Sequence, residues 1–316
     1  SSSDGNASFG SLTINSGGEY KAPSGTTTIT SMTSTGSGDR SLNNKSGGTF
    51  TNNDGTVLFN GSSDQRMEMA GTGNVHNLTL NKSDNDFVTF GNLTVEGDLS
   101  ITLATVHTMR PNNASETLTV TGDVTIVEGK LGDVTNYTGA ISFGSLTIES
   151  GGTYVATSGT TTITNKNSSN YMFFDAGTFT HNNGTVHFKA DTSSGTWYAV
   201  KGHSTEDTTE FYNVTTERVG SSVGNYRVCV GGSNQFFTVR NNLTVAANCK
   251  IFSSNGSSIL RHSGLAIIDG ELDLDSFTDI EMGAVTINSG GTLEFDNGSI
   301  TLKAESFRNV GGTINA

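Results

Sequence analysis

Ser8-Phe9-Gly10-Ser11-Leu12-Thr13-Ile14 recurs almost unchanged as Ser142-Phe143-Gly144-Ser145-Leu146-Thr147-Ile148. The likeness runs on, Ser16-Gly17-Gly18-Glu19-Tyr20 against Ser150-Gly151-Gly152-Thr153-Tyr154. Further along, Gly48-Thr49-Phe50-Thr51-Asn52-Asn53-Asp54-Gly55-Thr56-Val57 matches Gly177-Thr178-Phe179-Thr180-His181-Asn182-Asn183-Gly184-Thr185-Val186. A shorter third copy begins at Val285-Thr286-Ile287-Asn288-Ser289-Gly290-Gly291-Thr292. The offset between copies falls from 134 (8 to 142) to 129 (48 to 177), so loops differ in length while the repeated phrases persist. Internal repetition of this kind marks an architecture in which equivalent segments stack.

A finer rhythm lies within each copy. Leu12-Thr13-Ile14, Leu78-Thr79-Leu80, Leu93-Thr94-Val95, Leu118-Thr119-Val120, Val124-Thr125-Ile126, Leu243-Thr244-Val245, Val285-Thr286-Ile287 and Ile300-Thr301-Leu302 share an apolar-Thr-apolar form. Period-two alternation sends the flanking residues to one face and the Thr to the other. Ser-Gly-Gly, Asn-Asp-Gly and Asn-Gly separate the strands, residues that tolerate positive φ. No helical periodicity outlasts a turn or two. The expectation is an all-β, single-stranded right-handed parallel β-helix (a β-solenoid) with lateral loop insertions, the hand taken from the commoner form. It fills 1–316 as one continuous solenoid: a duplication, about 8–141 and 142–282, plus a partial third copy, 283–316. A sandwich of antiparallel hairpins needs no such duplication, though Asn182-Asn183-Gly184 also reads as a local hairpin signal.

Composition agrees with a narrow core. Hydrophobic residues are 33% of 316, too few for a wide globular interior but enough for a solenoid, where each strand turns two or three side chains inward. Two Pro rule out collagen and polyproline linkers. A net charge of −13 with no basic stripe speaks against nucleic-acid binding. No apolar run approaches ~18 residues, so no helical membrane span is expected.

Segments 48–59, 177–188 and 143–163 resemble the Gly/Thr/Asn-rich repeats of bacterial surface (adhesin-like) proteins and marine phage virion proteins. In those, phrases of the type Gly-Thr-Phe-Thr-Asn-Asn-Asn-Gly-Thr-Val-x-Phe are common. The resemblance covers most of the chain, with interruptions around 60–75 and 189–210. It implies an exposed, extracellular scaffold on a virion or cell surface and brings no catalytic residues. The expected function is therefore a non-catalytic structural or adhesive β-solenoid: a phage virion component (fibre or capsid decoration) that binds host glycans, or a bacterial adhesin. Expected partners are glycans, other virion or surface proteins, or further copies in a trimer or end-to-end assembly. The start at Ser1-Ser2-Ser3 points to processing or to a longer parent, and the last phrase, Val310-Gly311-Gly312-Thr313-Ile314-Asn315-Ala316, has no polar cap.

Several constellations carry candidate chemistry. Glu271, Asp273 and Asp275 alternate with Leu272 and Leu274, which sends three carboxylates to one strand face. Such a row suits Ca²⁺, which takes ~6–8 oxygens, but lacks a Gly/Asp-rich calcium loop, and a solvated acidic face is the favoured account. A polysaccharide hydrolase would need two carboxylates ~5–9 Å apart, a spacing that Asp273 and Asp275 match as do many acidic pairs. A lyase would need a base beside a bound metal. His181 and His187 flank a tight turn that would bring the rings together, without a third ligand at zinc spacing. Cys229 and Cys249, about one turn apart, would form a disulfide if stacked and two small core residues if not. Trp197 and Tyr198 sit in the longest break in the repeat, 191–207, where aromatics stack on sugars or cover the loop's own base. That insertion and its counterpart, 61–74, are the places to seek a binding epitope. Outward Thr pairs such as Thr28-Ile29-Thr30 raise ice binding, which needs a more regular array.

Overall fold

In a computed structural model the chain is all β, its parallel strands stacked as a β-solenoid of about 12 turns. The structure describes residues 4–33, 39–83, 88–104, 106–132, 137–190, 197–205, 208–219, 226–232, 235–254, 257–275, 277–295 and 302–316. The chain divides into two compact units, 1–143 with 147–159 and 144–146 with 160–316, near the junction between the two long sequence copies.

In the first unit the apolar-Thr-apolar strands stack in register, so like side chains lie above like at the ~4.8 Å strand spacing. One inward column runs Phe9, Ile29, Phe59, Leu80, Ile101, Ile126. A second runs Leu12, Leu42, Met67, Phe90, Pro111. The column between Phe9 and its strand-mates faces outward as Ser8, Thr28, Leu58, Thr79, Ser100, Thr125. Alternation thus does what the sequence implies: Ser and Thr outside, with Leu58 the exception in this column, and Ile, Leu and Phe inside.

The second unit repeats the scheme. Thr161, Val186, Val214, Leu243, Ala266 and Val285 form an inward column, as do Val228, Ile251, Leu272 and Leu293. Phe211 is the hub of an aromatic cluster, with ring centroids 5.1 Å from Phe173, 5.4 Å from Phe179, 6.1 Å from Phe188 and 5.7 Å from Phe237. Every described strand pairing is parallel; one isolated antiparallel bridge joins Thr33 and Arg40.

The Asn-Asn-Gly hairpin signal makes a corner instead. The strand that follows it, Thr185–Ala190, pairs in parallel with Thr160–Ile163 and Asn213–Arg218, partners in the turns on either side. Asn182 and Asn183 take φ of 46° and 57°, and Asn53 and Asp54 take 47° and 59° at the matching corner. Two consecutive left-handed residues turn the chain sharply, and Gly184 N donates to His181 O at 2.9 Å as Gly55 N does to Asn52 O at 3.0 Å. Asn183→Val is expected to lower unfolding stability by about 1–2 kcal/mol, because a β-branched residue clashes in this conformation. Asn183→Gly should change it by under about 1 kcal/mol, and urea midpoints of the two variants check the difference.

Candidate functional site

The acidic row resolves into a ladder built across turns. Strand Cys249–Ser253 places Lys250 in register with Glu271 on strand Glu271–Asp273, and Asp273 in turn aligns with Glu294 on strand Thr292–Glu294. Carboxylate oxygens of Glu271, Asp273 and Glu294 lie within 4.8 Å of one another. The Lys250 ammonium stands among them, 2.6 Å from Glu271, 2.7 Å from Asp273 and 3.8 Å from Glu294. The chain supplies its own cation at this point. Asp275 lies past the end of strand Glu271–Asp273, and its amide donates to Asp273 Oδ1 at 3.1 Å. Glu294 joins Glu271 and Asp273 through a register that no run of adjacent residues reveals.

Electrostatics follow the geometry. Burial presses the Lys250 pKa down, but hydrogen bonds to Asp273 and Glu271 outweigh it and the net shift is upward. Burial raises Glu271, against hydrogen bonds from Lys250 and Glu294 that leave it below the usual carboxylate value. The hydrogen bond with Glu271, then burial, holds Glu294 above that value, so Glu294 keeps its proton longer. Lys250→Met is expected to lose about 1–2 kcal/mol at pH 7, between the ~0–1 of exposed pairs and the ~3–5 of buried ones. Without the ammonium the carboxylates repel and their folded-state pKa values rise above the unfolded ones. Stability of the variant should therefore grow as pH falls from 7 toward 5. The wild-type Glu271 contribution has the opposite sign, present above the unfolded pKa and lost as pH falls through the depressed folded value. Urea titrations at several pH values separate the two.

The remaining sequence candidates fall apart or stand elsewhere. Cys229 and Cys249 are free, buried thiols rather than a disulfide. Strand pairing sets Cys229 beside Phe252 and Cys249 beside Tyr226. That offset of three positions puts the sulfurs on opposite strand faces and the Cα atoms about 10 Å apart, beyond bridging reach. Burial raises both thiol pKa values. His181 and His187 part company: His181 stacks on Tyr212 at 5.4 Å and accepts from Asn183 N, whereas His187 faces Glu217 at 3.2 Å. Trp197 and Tyr198 begin strand Trp197–Lys201, aligned with Arg227 and Val228, but their side chains lie outside the described residues, as do 191–196. Nearby, the Asp175 carboxyl is fully enclosed and pushed up by burial, although Thr209 Oγ1 donates to it at 2.8 Å and Gly177 N at 3.1 Å. His203 stands 4.0 Å from it.

The other insertion proves to hold a strand, Gln65–Met69, whose outward residues line a lateral cleft of about 290 Å³. Arg66 and Glu68 form one wall, Gly91 and Asn92 the corner of the next turn, and Asn112, Asn113 and Glu116 a ledge on the turn after. Arg40 Nε holds Glu68 Oε2 at 2.6 Å. Glu116 accepts from Asn112 N at 2.8 Å, Asn113 N at 3.0 Å and Asn113 Nδ2 at 2.8 Å, which ties the ledge into a rigid loop. Asn92 Oδ1 accepts from Thr117 N at 2.9 Å. Arg66 is less well served: its Nη2 lies 3.9 Å from Glu68, and its buried Nε has no hydrogen-bond partner. Burial, then the neighbouring Arg40, press its pKa below the ordinary guanidinium value. Among the described residues no helix is long and apolar enough to cross a membrane. Compared with protein-family models, curated proteins and solved structures, the chain finds no match.

Proposed function

We propose that this chain is a non-catalytic structural and adhesive module displayed outside the cell, as a fibre or capsid decoration on a virion. The observation that carries the reading is the register-locked lateral surface. Outward positions form polar columns several turns long, such as Thr162, His187, Thr215 and Thr244, over a core closed by stacked Val, Ile, Leu and Phe. Repeat stacks of this kind present extended faces on which recognition residues change without disturbing the inside. The Gly/Thr/Asn repeat phrases add support, since they resemble those of virion and bacterial surface proteins.

Antibodies raised against the chain provide the test. Labelling of intact particles from the source is the expected result, and labelling of intact bacterial cells would move the module to the cell envelope. Labelling that appears only after lysis overturns the reading. Release of reducing ends or unsaturated uronates from a panel of polysaccharides overturns its non-catalytic half.

A further inference from the structure

The cleft beside Arg66 has an imbalance that points to a ligand. Both carboxylates in its walls are engaged, Glu68 by Arg40 and Glu116 by three N–H donors. The Arg66 side chain, by contrast, is 29% exposed at the cleft and its Nη2 stands no closer than 3.9 Å to Glu68 Oε2. A guanidinium offers its donors in a planar fork suited to carboxylate or sulfate. A bare inorganic anion would fit poorly, because it would face Glu68 and Glu116 with nothing to donate. A sugar that carries an acidic group brings both parts: oxyanion acceptors for Arg66 and hydroxyl donors for the two glutamates. The volume, about 290 Å³, lies at the small end of the ~300–1,000 Å³ range of ligand clefts. We propose that the cleft over Gly91 binds an acidic sugar residue, its carboxylate or sulfate held by Arg66 and its hydroxyls by Glu68, Glu116 and Asn92. This rests on the adhesive reading above and gives it a ligand class. The net charge of −13 does not oppose it at ~0.15 M salt, where charges more than ~8 Å away are screened.

Gly91 supplies a control that spares every charged group. A Cβ built there would stand 3.8 Å from Glu68 Cγ and 3.9 Å from Glu116 Oε1, in ordinary contact and between the two walls. Gly91→Leu therefore projects a plug into the cleft, whereas Gly91→Ala leaves it mostly open. Binding is read by calorimetry and by chemical-shift titration at ~0.15 M salt, with four probes: trigalacturonic acid, a sulfated trisaccharide, neutral maltotriose and inorganic sulfate. The expected result is saturable binding of one or both acidic trisaccharides, and the two acidic arms tell carboxylate from sulfate. Arg66→Gln and Gly91→Leu should each weaken it by at least about tenfold, with melting temperature and Gly91→Ala binding close to wild type. Should Gly91→Leu fail to fold, Arg66→Lys, which keeps the charge and loses the fork, is expected to weaken binding too. No saturable binding of either acidic probe overturns the proposal, as does equal binding of maltotriose or inorganic sulfate. Acidic-sugar binding that survives both Arg66→Gln and Gly91→Leu overturns the cleft assignment and leaves the adhesive reading standing. Intact particles that carry the chain, with no binding of any probe, leave the scaffold and remove the cleft.

Discussion

Phe211→Ala is expected to lower the unfolding free energy by about 3–5 kcal/mol, the range for truncating a buried aromatic in a packed core. Phe211 is 1% exposed, and its ring touches four others, Phe173, Phe179, Phe188 and Phe237. Two terms add. The ring's burial is lost, and the four partners lose their offset and edge contacts, each pair worth ~0.5–1.5 kcal/mol beyond area. The cavity cannot collapse easily, because the backbone is locked by parallel pairing of strand Glu210–Phe211 with Phe236–Val239 in the next turn. Phe211→Leu should recover roughly half of the loss. The urea midpoint reads both variants, and a loss under about 1 kcal/mol for Phe211→Ala would mean that the aromatic cluster is loosely packed.

Lys82→Met is the second large expected effect, on the order of 3 kcal/mol. Lys82 is 3% exposed, a rare state for a lysine. Its ammonium donates to Gly61 O at 2.8 Å, Ser63 O at 2.8 Å and Gln65 Oε1 at 2.9 Å, and Gln65 Nε2 passes the chain on to Ile29 O at 3.0 Å. Methionine matches the stem and supplies no donor, so Gly61 O and Ser63 O lose the ammonium together, and Gln65 Oε1 is left with Gly61 N alone. Such a loss in a low-dielectric site exceeds what any one hydrogen bond contributes. The segment 61–65 should also loosen first. Amide exchange there is expected to quicken in Lys82→Met more than in the inward columns, and uniform slow exchange in the variant would show that the ammonium is not what holds the segment.

The strands are legible because the signal for them is local. The strand phrases from Leu12-Thr13-Ile14 to Val285-Thr286-Ile287 carry their own alternation, and each lies in a strand; residues 300 and 301 of the last phrase fall outside the described residues. The corners are half legible. Asn182-Asn183-Gly184 announces left-handed φ in any fold, but whether the flanking strands pair with each other or with the next turn depends on partners a whole turn away in sequence. The sites are least legible, for the same reason. Lys250, Glu271 and Glu294 meet only through the register, and a reading along the strand does not reach Lys250 or Glu294. Cys229 and Cys249 fail to meet because the register sets Phe252, three positions past Cys249, beside Cys229. Segment 61–74 reads as a place to seek an epitope, yet nothing in it says that Arg66 will face a ledge built by Glu116. Turn-by-turn alignment at the observed spacings exposes all of these neighbours.

Stacking in register has a hereditary consequence. Each layer meets mainly the layers on either side, and differences in loop length are absorbed at the corners, as the unequal offsets between the two long copies show. Copying or deleting a stretch of gene that encodes a whole layer therefore leaves the new neighbours matched, Ile over Leu and Thr over Thr. Such a lineage can lengthen or shorten by unequal recombination without first inventing a new interior, while each added layer brings another outer rim on which selection can write.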